Sequence, residues 1–504
     1  MLAAAIAGLM AVALAVVFFR AGSSRLGAAD WAAVRFSATQ AAVSALASVA
    51  LAIPVARALA RRRFAGRAGL IAALGAPFLL PVVVAVLGLL AIFGRAGVLN
   101  SGLAALGLPQ VGIYGFHGVV LAHVFLNMPL AVRMILHGWQ GVPAERVRLA
   151  QSLGLGPGGV FRHIEVPMLR GVVPGALLAV FLICLTSFAV VLILGGGPRA
   201  TTVELAIWQA VRFDFDLSRA AMLAAVQFGL CAAAVLLAAR WTAPAALGAG
   251  LDRPLALPAP GGWRRMADGL VIFVAALFLA LPVAVLVVWG VSDLADLPAG
   301  VWNAAATSVA LALVVAGLTA LAVVALASAV ARGGGLARMV EAAGMLPMAA
   351  SSLVLGIGLF LMLHPFVAPS RLALPVTALV NTLMALPFAL RLVLPAWRAA
   401  ELTQGRLADS LGLVGWARFR LAVLPRIRRP LGMAVGLAAA LAMGDLGVIA
   451  LFASDQGVTL PLQVWRLMGA YRTDQAEAAA LLLMGLSFAV FILFDSWGRR
   501  GADT

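Results

Sequence analysis

Few side chains in this sequence are placed to do chemistry, and their spacing rules out most of it. The five histidines, His117, His123, His137, His163 and His364, fall in no HExxH or comparable ligand spacing, so no metal site is expected. No nucleophile elbow and no paired carboxylates stand out, so no catalytic residue and no enzyme activity are expected. All 36 basic residues are arginine. A phosphate-binding loop of the GxxxxGK(S/T) type needs a lysine at the phosphates. Any ATP hydrolysis, with its Mg, would therefore belong to another polypeptide, and no cofactor is expected in this one. Cys184 and Cys231 lie inside apolar runs and read as small core residues.

Two kinds of residue remain. One is the polar group embedded in an apolar run, a default marker of a transport path. Asp445 in AMGDLG is the clearest, with Ser187 and Asn127 as further substrate-pathway candidates. The other is an octapeptide written twice, RLAQSLGL from Arg148 to Leu155 and RLADSLGL from Arg406 to Leu413, differing only at Gln151 against Asp409. Around the first copy, VPAERVRLAQSLG reads as a short helix. Pro143 suits its first turn, Val147, Ala150 and Leu153 recur at i, i+3 and i+6, and Gly154 closes the end. LTQGRLADSLG repeats this with Ala408, Leu411 and Gly412. A helix resting on lipid headgroups requires a pattern of apolar and basic residues. It does not require near-identity between two copies. A partner offering the same groove twice does, so a two-fold symmetric partner is the simpler reading.

The elements that carry these residues follow from composition. The 504-residue chain is 64% hydrophobic and 11% charged, with mean hydropathy +1.08. Soluble proteins are about 45–50% apolar and about 25% charged, so an all-α, polytopic membrane protein is expected. Apolar runs long enough to cross a bilayer occur at 2–19, 37–56, 69–93, 113–136, 172–194, 217–239, 267–291, 303–330, 341–363, 373–396, 431–453 and 476–495. That makes about 12 transmembrane helices. The first run lacks a basic n-region and a clean cleavage site, and is taken as a retained span. With a cytoplasmic N-terminus, Arg57, Arg61, Arg62, Arg63 and Arg67 share one cytoplasmic loop. Arg240, Arg253, Arg264 and Arg265 share another, as the positive-inside rule requires, and both termini are then cytoplasmic. The net charge of +17 is thus a topological signal, and no nucleic-acid partner is expected.

A Pro-, Gly- and Ala-rich stretch, 241–266, reads as a cytoplasmic linker between a first half, 1–240, and a second, 267–504. An offset of 258 superposes the halves without a gap over about a hundred residues. It sets Pro129 on Pro387, Arg133 on Arg391, Gly154 on Gly412, Pro167 on Pro425 and Ser187 on Asp445. Parallel repeats of six helices, with the path between them, are a common transporter plan. The duplicated motifs fall in loops 138–171 and 397–430, both cytoplasmic in this topology. Outer segments with Thr201, Thr202, Glu204, Asp214 and Asp216, then Thr459, Asp474 and Glu477, either close an outer gate, receive a delivery protein, or are ordinary solvated loop.

Each motif helix ends in Ala-x-x-x-Gly, and after nine intervening residues an I-x-L-P element follows: Ala150, Gly154 and Ile164 to Pro167, then Ala408, Gly412 and Ala422 to Pro425. This resembles the cytoplasmic coupling loops of bacterial ABC importer permeases. The resemblance departs where the family's opening glutamate is Arg148 and Arg406, where Val166 stands for leucine and where Ala422 stands for isoleucine. Fused halves occur in the thiamine and ferric-iron branches. The segments YGFHGVVLAHVFLNMPLAVR from Tyr114, LGGGPRATTVELAIWQAVRFDFDLSRAAMLA from Leu194 and GDLGVIALF from Gly444 are most similar to the thiamine branch. The likeness runs through most of residues 110–500 and implies a type I importer permease fold.

It also implies that Arg148, Leu149, Ala150, Gly154 and Pro167, and Arg406, Leu407, Ala408, Gly412 and Pro425, dock in grooves of two copies of an ATP-binding subunit that holds ATP and Mg. A periplasmic binding protein would deliver thiamine or its phosphates across a bacterial inner membrane. Asp445 would balance the thiazolium charge. The alternative within the family is a ferric-iron permease. Outside it stands an ion-coupled secondary transporter, which would need more buried carboxylates or histidines than Asp445 alone.

Overall fold

Lipid offers a bare backbone no hydrogen bonds, so apolar runs of this length are stable in it only as helices or closed barrels. The computed structural model describes residues 1–22, 25–75, 79–239, 261–452 and 457–500, and no strand occurs among them. Eleven of its helices are long and apolar enough to cross a membrane, and a pair bent by 96°, Ala337–Ala349 with Ser352–Leu363, is a twelfth candidate. We number the crossing helices α1 (Leu2–Ala21), α2 (Ala28–Arg61), α3 (Val82–Phe93), α4 (Phe116–Gln140), α5 (Val166–Leu185), α6 (Leu217–Ala239), α7 (Trp263–Ser292), α8 (Ala299–Ala331), α9 (Ser352–Leu363), α10 (Pro369–Ser410), α11 (Leu424–Met443) and α12 (Thr473–Arg499). The chain is a multi-pass membrane protein. Helix α7 begins at Trp263, inside the stretch expected to be linker, directly after Gly262 with φ +62°. Residues 240–260 of that stretch lie outside the described residues.

The element order repeats, with α2 to α6 recurring as α8 to α12. From α4 and α10 onward the register is the 258 residues read from the motifs. Earlier it is 270: Arg67–Ala73 ahead of α3 matches Ala337–Met345 ahead of α9, and Val82 matches Ser352. The twelve-residue difference is taken up between α3 and α4, where the first repeat carries an additional helix, Val98–Ala105. Buried Asn100 holds this insertion. Its amide donates to the carbonyls of Gly94 (2.8 Å) and Val111 (2.9 Å) and accepts from the Val111 N–H (2.8 Å).

The first helix of each repeat crosses to the other half: α1 packs on α9, and α7 packs on α3. Both contacts are made at glycine. A Cβ on Gly88 would stand 2.8 Å from the carbonyl oxygen of Pro282, and one on Gly358 2.8 Å from that of Ala13. Gly88 and Gly358 are themselves 270 residues apart, so the exchange is symmetric. The halves interlock: one continuous cluster of buried apolar residues draws on both, and a second lies almost wholly in the first half.

Candidate functional site

Both copies of the duplicated motif end their helices in the same way. Gly154 and Gly412 adopt φ +65° and +64°, the left-handed conformation that closes a helix. The N–H of Leu155 then donates to the carbonyl of Ala150, and that of Leu413 to Ala408, each at 2.9 Å. The Ala-x-x-x-Gly spacing is thus the spacing of a six-to-one capping bond. Neither glycine would crowd a Cβ, so backbone conformation alone requires it.

The motifs also present the same surface. Val147, Ala150 and Ala408 are buried, while Arg148 and Arg406 are exposed. Leu149 and Leu153 are 60% and 66% exposed, and Leu407 and Leu411 are 59% and 64% exposed. Leu153 and Leu411 were expected in the buried stripe. They turn outward instead, because the chain leaves the helix at the next residue and no neighbouring element covers the last turn. Each tip therefore carries two uncovered leucines at i and i+4 beside an arginine. Pro167 and Pro425 sit where a five-residue π turn, Phe161–Glu165 or Phe419–Val423, runs directly into α5 or α11.

The stems differ. The first motif is a separate helix, Ala144–Ser152, divided from α4 by Gly141, Val142 and Pro143. In the second, Ala399, Ala400 and Glu401 occupy those positions, and α10 runs unbroken through the motif to Ser410. The short separate helix expected there is a continuation of the span. The first connection is fastened by Glu165, fully buried, which accepts from Arg57 Nε and Arg61 Nη2 of α2 at 2.6 Å each. At Glu165's repeat position stands Val423. The second connection is held by stacking of Trp397 on Phe419, 5.7 Å between ring centres, with Trp416 alongside. Arg418 adds ion pairs to Glu401 and Asp409. The signal that could have revealed the Glu165 clamp is the i, i+4 pair Arg57 and Arg61, which α2 sets on one face.

At the other end of α5 and α11 both helices break. Ser187 lies in the break between α5 and Ala189–Leu194, and Asp445 in that between α11 and Gly447–Phe452. The breaks face each other across the seam, since a Cβ on Gly447 would stand 3.7 Å from the Phe188 ring. Asp445 is half-buried, and its Oδ2 is buried without a hydrogen-bond partner. Trp208, on the helix Val203–Arg212, bridges the halves. Its indole N–H donates to the Ala450 carbonyl at 3.1 Å, and its ring meets Phe188 and Trp465, each at 6.0 Å. The helices that carry these tryptophans are positioned alike: Ser37 accepts from the Val203 N–H (2.8 Å) and Ser308 from the Leu460 N–H (2.7 Å).

Asn127 is not brought to this seam. Its amide donates to the His123 carbonyl (2.9 Å) and reaches Cys184 Sγ (3.5 Å), in a buried cluster with Gln40 and Ser44 that ties α2, α4 and α5 together. Glu204, in the segment between α5 and α6, is only 1% exposed. Burial pushes its carboxyl up to about 8, with the Ser351 hydroxyl and Gln227 amide pulling the other way. Sequence left it undecided between gate and solvated loop, and the solvated reading does not hold. Among the described residues no three His, Cys, Asp or Glu side chains gather in a metal-binding group.

No protein-family model matches the chain. Individual relatives do. It is 42% identical over 474 residues to a thiamine transport system permease protein of Brucella abortus, covering 92% of this chain and 87% of that one. It is 38% identical over 491 residues to a thiamine transport system permease protein of Escherichia coli, covering 94% and 90%. A molybdenum transport system permease protein of Azotobacter vinelandii is 28% identical over 179 residues, 35% of this chain but 78% of its own length.

Proposed function

The chain belongs to the thiamine transport system permease family, and from that premise we propose that it is the membrane subunit of an ATP-driven thiamine importer. Two copies of a separate ATP-binding subunit grip the tips at Leu149–Gly154 and Leu407–Gly412, and a binding protein delivers thiamine to the opposite face. The arginine distribution supports placing the tips and both termini in the cytoplasm of a bacterial cell, with the chain in its inner membrane. The observation that carries this reading is the pair of matched tips. They share a glycine cap, an exposed arginine and two uncovered leucines, on stems that are otherwise built differently.

A motor that closes around two such tips moves α4 and α10 relative to the seam, where Ser187, Asp445 and the Trp208–Trp465 contact meet. Asp445, a carboxylate without an ion-pair partner among the described residues, supplies the negative charge for a passing thiazolium. The test is uptake of labelled thiamine in a strain lacking its own importer, with and without the neighbouring ATP-binding subunit. Uptake that needs both supports the proposal, whereas iron uptake without thiamine uptake would overturn the choice of substrate.

A further inference from the structure

A cleft of about 300 Å³, with charged groups set among a mainly apolar lining, opens between the end of α2, the start of α7 and the segment after the first motif helix. Its walls include Arg57, Arg61, Phe161, Trp263, Arg264 and Asp268. Its size lies at the lower end of small-molecule pockets, about 300–1,000 Å³.

The charges around it do not cancel. Glu165 takes Arg57 and Arg61, and Asp268 takes Arg62 at 2.7 Å. With Arg264, four guanidiniums meet two carboxylates among the described residues, a positive balance there. Arg61 is 8% exposed, and its buried Nε–H has no hydrogen-bond partner among the described residues. A buried donor of this kind is costly unless an acceptor reaches it. Phosphate oxygens suit guanidinium donors, which form short charge-assisted bonds with them. Aromatic faces steady two of the walls: Arg57 lies 4.7 Å from the Phe161 ring centre and Arg264 5.7 Å from that of Trp263. Trp263 is 73% exposed, in the first turn of a spanning helix, where aromatic side chains sit at headgroup depth.

We propose that this cleft binds a phosphate-ester anion, supplied by the headgroup of an anionic phospholipid in the leaflet on the motif side. Basic pockets between transmembrane helices at a membrane surface have the charge and depth for such headgroups. An occupant would join α2 of the first half to α7 of the second, beside the Glu165 clamp. The site is independent of which compound the chain transports.

Native mass spectrometry of the purified full chain tests this with four probes: phosphatidylglycerol, phosphatidylcholine, glycerol 3-phosphate and inorganic phosphate. Phosphatidylglycerol should be retained and phosphatidylcholine lost. Arg264→Gln should cut retention roughly fivefold, the effect of one basic residue at an anionic surface. Arg264→Lys should recover part of it, and Arg265→Gln, outside the cleft, should change nothing. Substitution of Arg57 or Arg61 would also disturb Glu165, so Arg264 carries the test. Retention of the two soluble phosphates without any preference for phosphatidylglycerol would keep the anion site but overturn its lipid source. Equal retention of both lipids, or an unchanged Arg264→Gln, would overturn the site.

Discussion

Glu165 fastens the first motif segment to the membrane bundle, so its charge should matter more than its position in a loop suggests. Glu165→Gln keeps the shape and removes the charge. It leaves Arg61, with a side chain only 7% exposed, and Arg57, at 31%, without their shared counter-ion. Breaking one side of a buried pair costs about 3–5 kcal/mol. Arg57 can turn toward water, which favours the lower figure, about 3 kcal/mol. A unit of 150–250 residues loses roughly 2–4 °C of Tm per kcal/mol, and an interlocked chain of 504 residues about half that. The apparent midpoint should therefore fall by roughly 3–6 °C, followed by tryptophan fluorescence of the purified chain in detergent. The double variant Glu165→Val with Arg61→Leu should recover most of this loss, because buried pairs replaced by apolar groups are often neutral. It imitates the second repeat, where Val423 occupies the position. A Glu165→Gln midpoint within about 1 °C of the unsubstituted protein would refute the clamp.

Four further sets of substitutions probe separate parts of the molecule. Gly88→Ala and Gly358→Ala each force a Cβ to 2.8 Å from a backbone carbonyl of the crossing helix. Each should cost about 1–3 kcal/mol of overpacking, read as a lower thermal midpoint, and two neutral variants would dispose of the interlocked arrangement. Leu149→Glu and Leu407→Glu alter exposed side chains, so the midpoint should hold while affinity for the ATP-binding subunit drops by tenfold or more, from about 1.5–3 kcal/mol per buried leucine. Undiminished binding by surface plasmon resonance would discard the docking role. At Gly154 and Gly412, asparagine tolerates the left-handed conformation whereas valine costs roughly 1–2 kcal/mol. Uptake should thus rank Gly and Asn above Val, and the reverse order would count against a backbone requirement. Glu204 is raised from 4.5 to about 8, so its contribution to stability is complete below the unfolded value and lost as pH rises through the folded one. The midpoint should decline between about pH 5 and about pH 9 and flatten in Glu204→Gln; a steeper decline in the variant would contradict the assignment.

The spans were legible because hydropathy over about 20 residues is a local property that the bilayer reads directly. The 258-residue register was legible where motifs and prolines mark it, and it was lost upstream, where the Val98–Ala105 insertion shifts the register to 270 and alanine-rich helices offer no landmarks. The exchange of α1 and α7 left no trace in either helix, because a partner in the other half imposes only smallness on Gly88 and Gly358. Periodicity placed Val147 and Ala150 correctly and misplaced Leu153, since a helical wheel assumes that every turn has a neighbour. Glu165 read as one more charge in a basic loop. Its burial depends on α2 returning to meet it 104 residues from Arg61, a distance that no local pattern spans.

The two tips match at seven of eight positions, whereas the groups that fasten the segments behind them mostly differ. Pro143 faces Glu401 in the alignment, Val160 faces Arg418, and Glu165 faces Val423. If the motifs existed to stabilise the bundle, their fastenings would repeat along with them. The exposed tips repeat more closely than their fastenings, which fits the proposed docking better than a role in holding the bundle. The stems then decide where a push goes. At the second tip it enters α10, a single helix of 42 residues, and moves that span as one body. At the first it meets the Gly141–Pro143 break, and the pairs of Glu165 with Arg57 and Arg61 offer it a second route, into α2. A symmetric motor of the kind proposed would therefore meet unlike stems in the two halves, a continuous span at one tip and a jointed one at the other.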